Sequence, residues 1–277
     1  MRFVVLIENS PCLNMYNEHG LSLYIEANGS RIIFDLGQTS NFSHNAKHLN
    51  VDISAIDLAI ISHGHYDHGG GLPCFMELNR NAPVYLRHGA DGLYYVNRHN
   101  LEYIGLNQEI LSSNNHRLIW LERNEEIAPG IHLITCIPQC EPQPLGNSGL
   151  SMRKNDEIIQ DDFTHELFCI IEEEDGITLI TGCGHSGISN MMIAAKDQFP
   201  SHELKAVIGG LHLTDGDGIN NPVIDEEAIG SLFKKLSEWG NARLITGHCT
   251  GDKTINLLSE KLGKRLIRMS TGMDIML

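Results

Sequence analysis

Four apolar runs in this chain stop in the same way. LAIIS leads into HGH at residues 58–65, TLIT into GCGH at 178–185, AVIG into GLH at 206–212, and RLIT into GHC at 243–249. Each run has the length and branched side chains of a buried strand, and each ends in small residues followed by histidine. In folds that layer helices on a largely parallel sheet, strand ends that point the same way collect on one rim. Four such ends would deliver imidazoles from distant parts of the chain to one place. The feature therefore constrains both the fold class, α/β, and the position of the site.

The remaining pattern agrees with layered strands and helices. RFVVLIE reads as a first strand and not a signal peptide. LSLYIEANGSRIIFDLG reads as a hairpin turning at Asn28-Gly29. A polar helix is expected over 40–50, and short helices over 75–80 and 90–99 flank the strand APVYLR. Two strands are expected within 118–135, around Asn124 and Pro129-Gly130. PQCEPQPLGNSG and RKNDEIIQDDF, at 138–165, read as a long substrate-side loop over one edge. LFCIIEEEDGITLIT reads as a second hairpin with its acidic tip at 172–175. After it come a helix in ISNMMIAAKDQF, a strand in LKAVIGG and helices in DEEAIGSLFKKLSEW and DKTINLLSEKLG, with a strand at the end. No linker divides the chain, so residues 1–277 are expected to form one domain.

The formal charge of −15 disfavours nucleic acid as a partner and leaves a small-molecule substrate, anionic if a local cationic patch receives it. No apolar run approaches the roughly 18 residues that would span a bilayer, so no membrane partner is expected. The seven scattered cysteines fit a reducing, cytoplasmic compartment better than a disulfide framework.

The densest chemistry lies in AIISHGHYDHGGG, residues 59–71. Imidazole nitrogen and carboxylate oxygen suit zinc, iron or manganese. His63 and His65 alternate and can aim at one ion. Asp67 and His68 follow a bend and can reach a second. Two ions about 3.5–4 Å apart clamp both oxygens of a displacement. Glycines 64, 69, 70 and 71 fit tight packing around metal, or a turn that needs positive φ.

HGHYDHGGG is similar to the HxHxDH signature of the metallo-β-lactamase superfamily, and FDLG, with Asp35 and Gly37, matches an early strand of that fold. TGCGHSGI, GGLHL and GHCTG resemble a branch of it. That branch includes the dihydropterin-to-ribofuranosylaminobenzene-phosphate synthase of methanopterin biosynthesis and many metal-dependent hydrolases. The resemblance covers nearly the whole chain. It implies a four-layer αββα sandwich with two divalent metal ions at one edge of its sheets: zinc foremost, iron or manganese as alternatives.

By position, the resemblance gives His63 and His65 to the first ion, and Asp67, His68 and His248 to the second. The third ligand of the first ion falls to His185, with His165 as rival. Cys183 stands where most relatives have a bridging aspartate. It reads either as a thiolate ligand or as a small buried side chain. His212 reads as a ligand, as a proton donor and oxyanion stabiliser, or as a core histidine. Asp35 is expected to orient a ligand histidine from behind, and Cys249 to point away and pack. HSGISN opens a helix whose N–H groups could receive an anion; Ser186 or Ser189 as a helix cap is the alternative. Arg153 and Lys154 either grip an anionic substrate or are solvated loop charges, and Cys136 and Cys140 are expected to be structural.

Three functions follow as expectations. The leading one is a metal-dependent hydrolase in which a metal-bound hydroxide attacks a small ester, lactone or phosphoester, with Asp67 orienting the nucleophile and His212 assisting the leaving group. The second is transfer from a pterin diphosphate. The third is a non-catalytic metal-binding or sensor protein.

Overall fold

A computed structural model describes residues 1–10, 12–213 and 226–277. Two seven-stranded sheets face one another. The first runs, edge to edge, Asp274–Met276, Arg2–Ile7, Ser22–Ala27, Ser30–Phe34, Leu58–Ile60, Val84–Arg87 and Leu118–Leu121. The second runs Leu266–Arg268, Arg243–Thr246, Leu204–Gly209, Gly176–Ile180, Phe168–Glu173, Ile131–Ile134 and Glu125–Ala128. Each sheet is part antiparallel and part parallel. The parallel part of the first spans Ser30–Phe34 to Leu118–Leu121, and that of the second spans Gly176–Ile180 to Leu266–Arg268.

Branched and aromatic side chains alternate along these strands, so each sheet has two apolar faces to cover. The inner faces bury Phe3, Ile25, Phe34 and Ile60 against Leu133, Ile171, Ile208 and Ile245. The outer face of the first sheet is covered by the helices Asn41–His48, Leu72–Leu78 and Gln108–Ser113 through Phe42, Phe75 and Leu111. The outer face of the second is covered by Ile188–Gln198, Glu226–Glu238 and Asp252–Leu262. In the last two, Ile229, Leu232 and Leu236, and Ile255, Leu258 and Leu262, recur at helical spacing and are buried. Helix, sheet, sheet, helix is the αββα order expected.

The sequence reading and the structure part in three places. Residues 90–99 are not helical: Tyr94–Asn97 is a strand. Its tyrosines and valine carry β propensity that outweighed the short polar context. Residues 118–135 hold three strands and not two, split between the sheets. The expected loop at 138–165 contains the hairpin Leu150–Lys154 with Glu157–Gln160, which joins Tyr94–Asn97 and Leu101–Tyr103 in a third, four-stranded antiparallel sheet. Its charged tip, Arg153 to Asp156, hid a strand signal that pairing across the small sheet supplies. The Asn28-Gly29 turn is as expected, both residues at positive φ (51° and 80°). The start of the helix expected at Asp225 lies outside the described residues.

Candidate metal centre

The four strand ends do meet. The loops after Leu58–Ile60, Gly176–Ile180, Leu204–Gly209 and Arg243–Thr246 are stitched together by backbone and hydroxyl contacts. Leu167 N–H donates to Ser62 O (2.8 Å), Gly210 N–H to Gly182 O (2.8 Å), and Leu211 N–H to Thr250 Oγ1 (3.1 Å). The motif glycines are needed for close approach, not for positive φ. A Cβ on Gly64 would stand 2.6 Å from Ala90 O, and one on Gly70 2.2 Å from Gln38 O, while neither residue has a positive φ.

His63, His65, Asp67, His68, His185 and His248 are all buried and all reach this rim. Five of them fall into two groups that share Cys183, while His65 groups with Asp161 and His165. The ligand atoms of Asp67, His68, Cys183 and His248 lie within 4.8 Å of one another, as do those of His63, Cys183 and His185. The His65 ring stands 4.5 Å from His63 and 5.0 Å from His185, centroid to centroid.

The far side of each ring shows which nitrogen carries a hydrogen. His68 Nδ1 donates to Asp35 Oδ2 (2.7 Å). His248 Nδ1 donates to Asn9 Oδ1 (2.8 Å), which also accepts from Gly20 N–H. His185 Nδ1 donates to Asn147 Oδ1 (2.9 Å), an amide fixed by its own bond to His185 O. Ser62 Oγ gives its hydrogen to Asp35 Oδ2, so it accepts from His63 Nδ1 (2.9 Å). Each of these four rings therefore presents Nε2 as a lone pair toward the rim.

The lone pairs crowd together. His68 Nε2 and His248 Nε2 are 3.1 Å apart; His63 Nε2 also lies 3.1 Å from His65 Nδ1, the one ring of the set with no far-side partner among the described residues to fix its hydrogen. Cys183 Sγ lies 3.1 Å from His68 Nε2 and 3.3 Å from His248 Nε2. Among the described residues, His185 Nε2 is buried with no hydrogen-bond partner. Buried polar atoms facing one another without a shared hydrogen repel unless something positive lies between them. Burial, then the neighbouring His68, holds His63 well below the ordinary imidazole range; burial, then His212, does the same to His185. These rings are neutral bases, the form a metal takes. For His68, burial opposes the charged form, but Asp67 and Asp35 outweigh it and raise the group well above its ordinary value. The donor set thus fits divalent metal.

His165, the rival third ligand, stands apart from Cys183 in a separate group with His65 and Asp161 whose ligand atoms lie within 4.8 Å of one another. Its Nδ1 accepts Gly64 N–H (3.0 Å), and its Nε2 bonds to Asp161 Oδ2 (3.1 Å). Cys183 Sγ belongs to both groups. Cys249, expected to point away, is a correction: its sulfur lies within 4.8 Å of both Cys183 Sγ and a His212 nitrogen. His212 stacks obliquely on His185, with ring centroids 4.3 Å apart. At HSGISN the buried Glu166 accepts N–H bonds from His185 (2.8 Å) and Ser186 (2.6 Å), which precede the Gly187 N-cap and are not N–H groups of the helix itself. No side chain caps that helix. Arg153 lies over Tyr95 and Lys154 pairs loosely with Asp162 (3.9 Å), so neither is turned toward the rim.

Asp35 does what was expected of it. Glu8, Asn9, Ser62, Asn147, Asp161 and Glu166 do comparable work and were not read from sequence. Asp161 is buried between two histidines, with Oδ2 3.1 Å from His165 Nε2 and 3.7 Å from His65 Nε2. Glu8 accepts the His248 N–H (2.5 Å). The only sequence signal for these residues was their placement next to strand ends, in IEN and QDDF.

The chain belongs to the metallo-beta-lactamase superfamily, whose sequence model matches residues 16–190. It is 30% identical over 277 residues to the 7,8-dihydropterin-6-methyl-4-(beta-D-ribofuranosyl)-aminobenzene-5'-phosphate synthase of Methanocaldococcus jannaschii, covering 95% of this chain and 90% of that protein. An uncharacterised protein of the same archaeon is 30% identical over 261 residues, 92% of this chain and 93% of its own. Among solved structures, Tm1679, described as a metal-dependent hydrolase of the beta-lactamase superfamily, superposes with a TM-score of 0.83 at 27% identity, over 100% of this chain and 99% of that one. The Zn(2+)-bound PqqB of Methylobacterium extorquens shares the fold, with a TM-score of 0.63 at 13% identity over the full length of both chains. Among the described residues, no helix is long and apolar enough to cross a membrane.

Proposed function

We propose that this protein is a metal-dependent hydrolase of small ester, lactone or phosphoester substrates. In this reading His63, His65 and His185 hold one divalent ion, Asp67, His68 and His248 hold the other, and Cys183 lies between them. The observation that carries it is the 3.1 Å contact between His68 Nε2 and His248 Nε2, two nitrogens whose rings have already given their hydrogens to Asp35 and Asn9 on the far side. When bound, the two ions, zinc foremost, would polarise the substrate oxygen and lower the pKa of water at the site.

The chain's own residues do the rest. Asp67 Oδ2, 3.4 Å from the Nε2 atoms of both His68 and His248, faces the space between them and orients an incoming water by accepting its hydrogen. His212 is pushed upward: burial opposes its charged form but Cys249 outweighs it. It is placed beside His185 to hand a proton to the leaving oxygen. Asp35, Ser62, Asn9, Asn147 and Asp161 fix the rings so that no reorganisation is needed during turnover. A panel of lactones, esters and phosphoesters, assayed with the metal-loaded protein, tests this. Turnover should fall at least about a hundredfold in His63→Ala, given the usual weight of such ligands; an unchanged rate would overturn the mechanism.

The identity to the archaeal synthase along 95% of the chain favours a second reading. A dihydropterin methyl diphosphate would yield its carbon to a ribofuranosylaminobenzene phosphate, with the same rim stabilising the departing diphosphate. Diphosphate release that requires the aromatic acceptor would establish transfer. Release that water alone supports would establish hydrolysis.

A further inference from the structure

The proposed centre uses Cys183 and gives Cys249 only an indirect part, through His212. The two sulfurs lie within 4.8 Å of one another, with a His212 nitrogen in the same group. Cys249 Sγ also sits 3.6 Å from the carbonyl oxygen of its partner residue, Cys183. The backbones carrying them are tied. Gly210 N–H donates to Gly182 O (2.8 Å), Thr246 Oγ1 to Gly209 O (2.8 Å), and Thr250 Oγ1 shares a hydrogen with Thr246 Oγ1 (2.6 Å). Between the thiols the third loop narrows to glycine: a Cβ on Gly210 would stand 2.5 Å from Cys249 Sγ. Nothing larger could occupy that position while the sulfurs face one another.

The two thiols differ in access. Cys183 is buried, and Cys249 is half-buried. A small oxidant reaches Cys249 first and finds the second thiol directly behind it. A disulfide needs its sulfurs at about 2.05 Å. The sulfurs, within 4.8 Å, must therefore move toward one another for the bond to form.

We propose that Cys183 and Cys249 form a peroxide-sensitive thiol pair whose closure to a disulfide takes Cys183 out of the metal centre. The Cys249 sulfur attacks one oxygen of a hydroperoxide. The O–O bond breaks, the departing oxygen leaves as water or alcohol with the thiol hydrogen, and Cys249 becomes a sulfenic acid. The Cys183 sulfur then attacks the Cys249 sulfur, the S–O bond breaks, and a second water leaves. Two thiols are oxidised by two electrons and one peroxide is reduced. A disulfide sulfur is a poor metal ligand, so the centre loses the donor common to both groups. Reduction by a dithiol restores it.

The consequence for metal rests on the function proposed above, whereas the cross-link itself does not. The test treats the metal-loaded protein with one equivalent of hydrogen peroxide, blocks remaining thiols, and maps the peptides by mass. In parallel, a chromogenic chelator follows ion release. We expect a 183–249 cross-linked peptide, ion release in step with it, and recovery of both after dithiothreitol and metal. Cys249→Ser and Cys249→Ala should keep their ions under the same peroxide dose, each compared with its own untreated sample. Peroxide that leaves only sulfinic acid on Cys249, or that joins other cysteines and not these two, would overturn the proposal. So would ion release from Cys249→Ser as fast as from the unaltered protein. A cross-link that forms in protein never found to bind metal would support the thiol pair and overturn the metal reading.

Discussion

Replacing Asp35 by Asn tests how far the metal centre depends on a residue that touches no ion. The Asp35 carboxylate is fully buried and accepts three hydrogens: Ser62 N–H at 2.7 Å, Ser62 Oγ at 2.8 Å and His68 Nδ1 at 2.7 Å. Asn keeps the shape but removes the charge and turns one acceptor into a donor. That donor must face either Ser62 or His68. A hydrogen bond to a charged group contributes about 1.5–3 kcal/mol. The loss also frees the His68 ring and, through Ser62 Oγ, weakens the hold on His63 Nδ1. Outer partners of metal ligands typically account for about 10–100-fold in affinity. At about 1.4 kcal/mol per factor of ten this is roughly 1.4–2.8 kcal/mol, the same range as the lost bond. Asp35→Asn should therefore bind zinc about 10–100-fold more weakly in a chelator competition while keeping its circular dichroism spectrum. Affinity within twofold of the unaltered protein would refute the claim that Asp35 fixes His68 for metal.

Other outcomes follow from the same geometry. His185→Ala should retain about one fewer ion per chain by elemental analysis, whereas His165→Ala should retain the full complement, because both His165 nitrogens already serve Gly64 and Asp161. Gly182→Ala should disrupt the rim, since its Cβ would stand 2.1 Å from Ser62 Oγ; a fall of at least about 1 kcal/mol in denaturant stability together with weaker metal binding would show it. Leu232→Ala, at a fully buried position under the second sheet, should lower stability by about 2–5 kcal/mol and leave metal stoichiometry unchanged in the folded fraction. Burial works against ionised Glu173, but hydrogen bonds from the chain's amino group and from Lys205 outweigh it and hold the carboxyl below its usual range. A lowered carboxylate stabilises the fold at neutral pH, and that stabilisation is lost as pH falls through the depressed folded value. Lys205→Met should therefore flatten the acid side of the melting-temperature profile, and an unchanged slope would count against this assignment.

Much of the candidate site was legible because the side chains that gather there stand immediately after apolar strands. A run such as AVIG fixes a strand by its branched side chains, and the residue after it must emerge at the strand's end. The convergence of His63, His185, His212 and His248 followed from that rule alone. The partners behind the rings were not legible in the same way. Asn147 and Asp161 come from a segment whose proline, glutamine and charge suggested a loop, and whose strands form only by pairing with Tyr94–Asn97. Their roles arise from long-range packing, which no local pattern encodes. Cys249 was misplaced for a related reason. His248 has positive φ (50°), in a 3-10 turn where neighbouring side chains do not alternate as they would along a strand, so Cys249 turns to the same rim.

The account stands on cations lying between histidines from distant parts of the chain. Elemental analysis of the protein purified without added metal, combined with anomalous scattering from its crystals, measures this directly. The prediction is two ions per chain, one bounded by His63, His65 and His185 and the other by Asp67, His68 and His248, with Cys183 Sγ between. A crystal with no anomalous peak at the rim after metal loading, or with these rings turned away from one another, would contradict it.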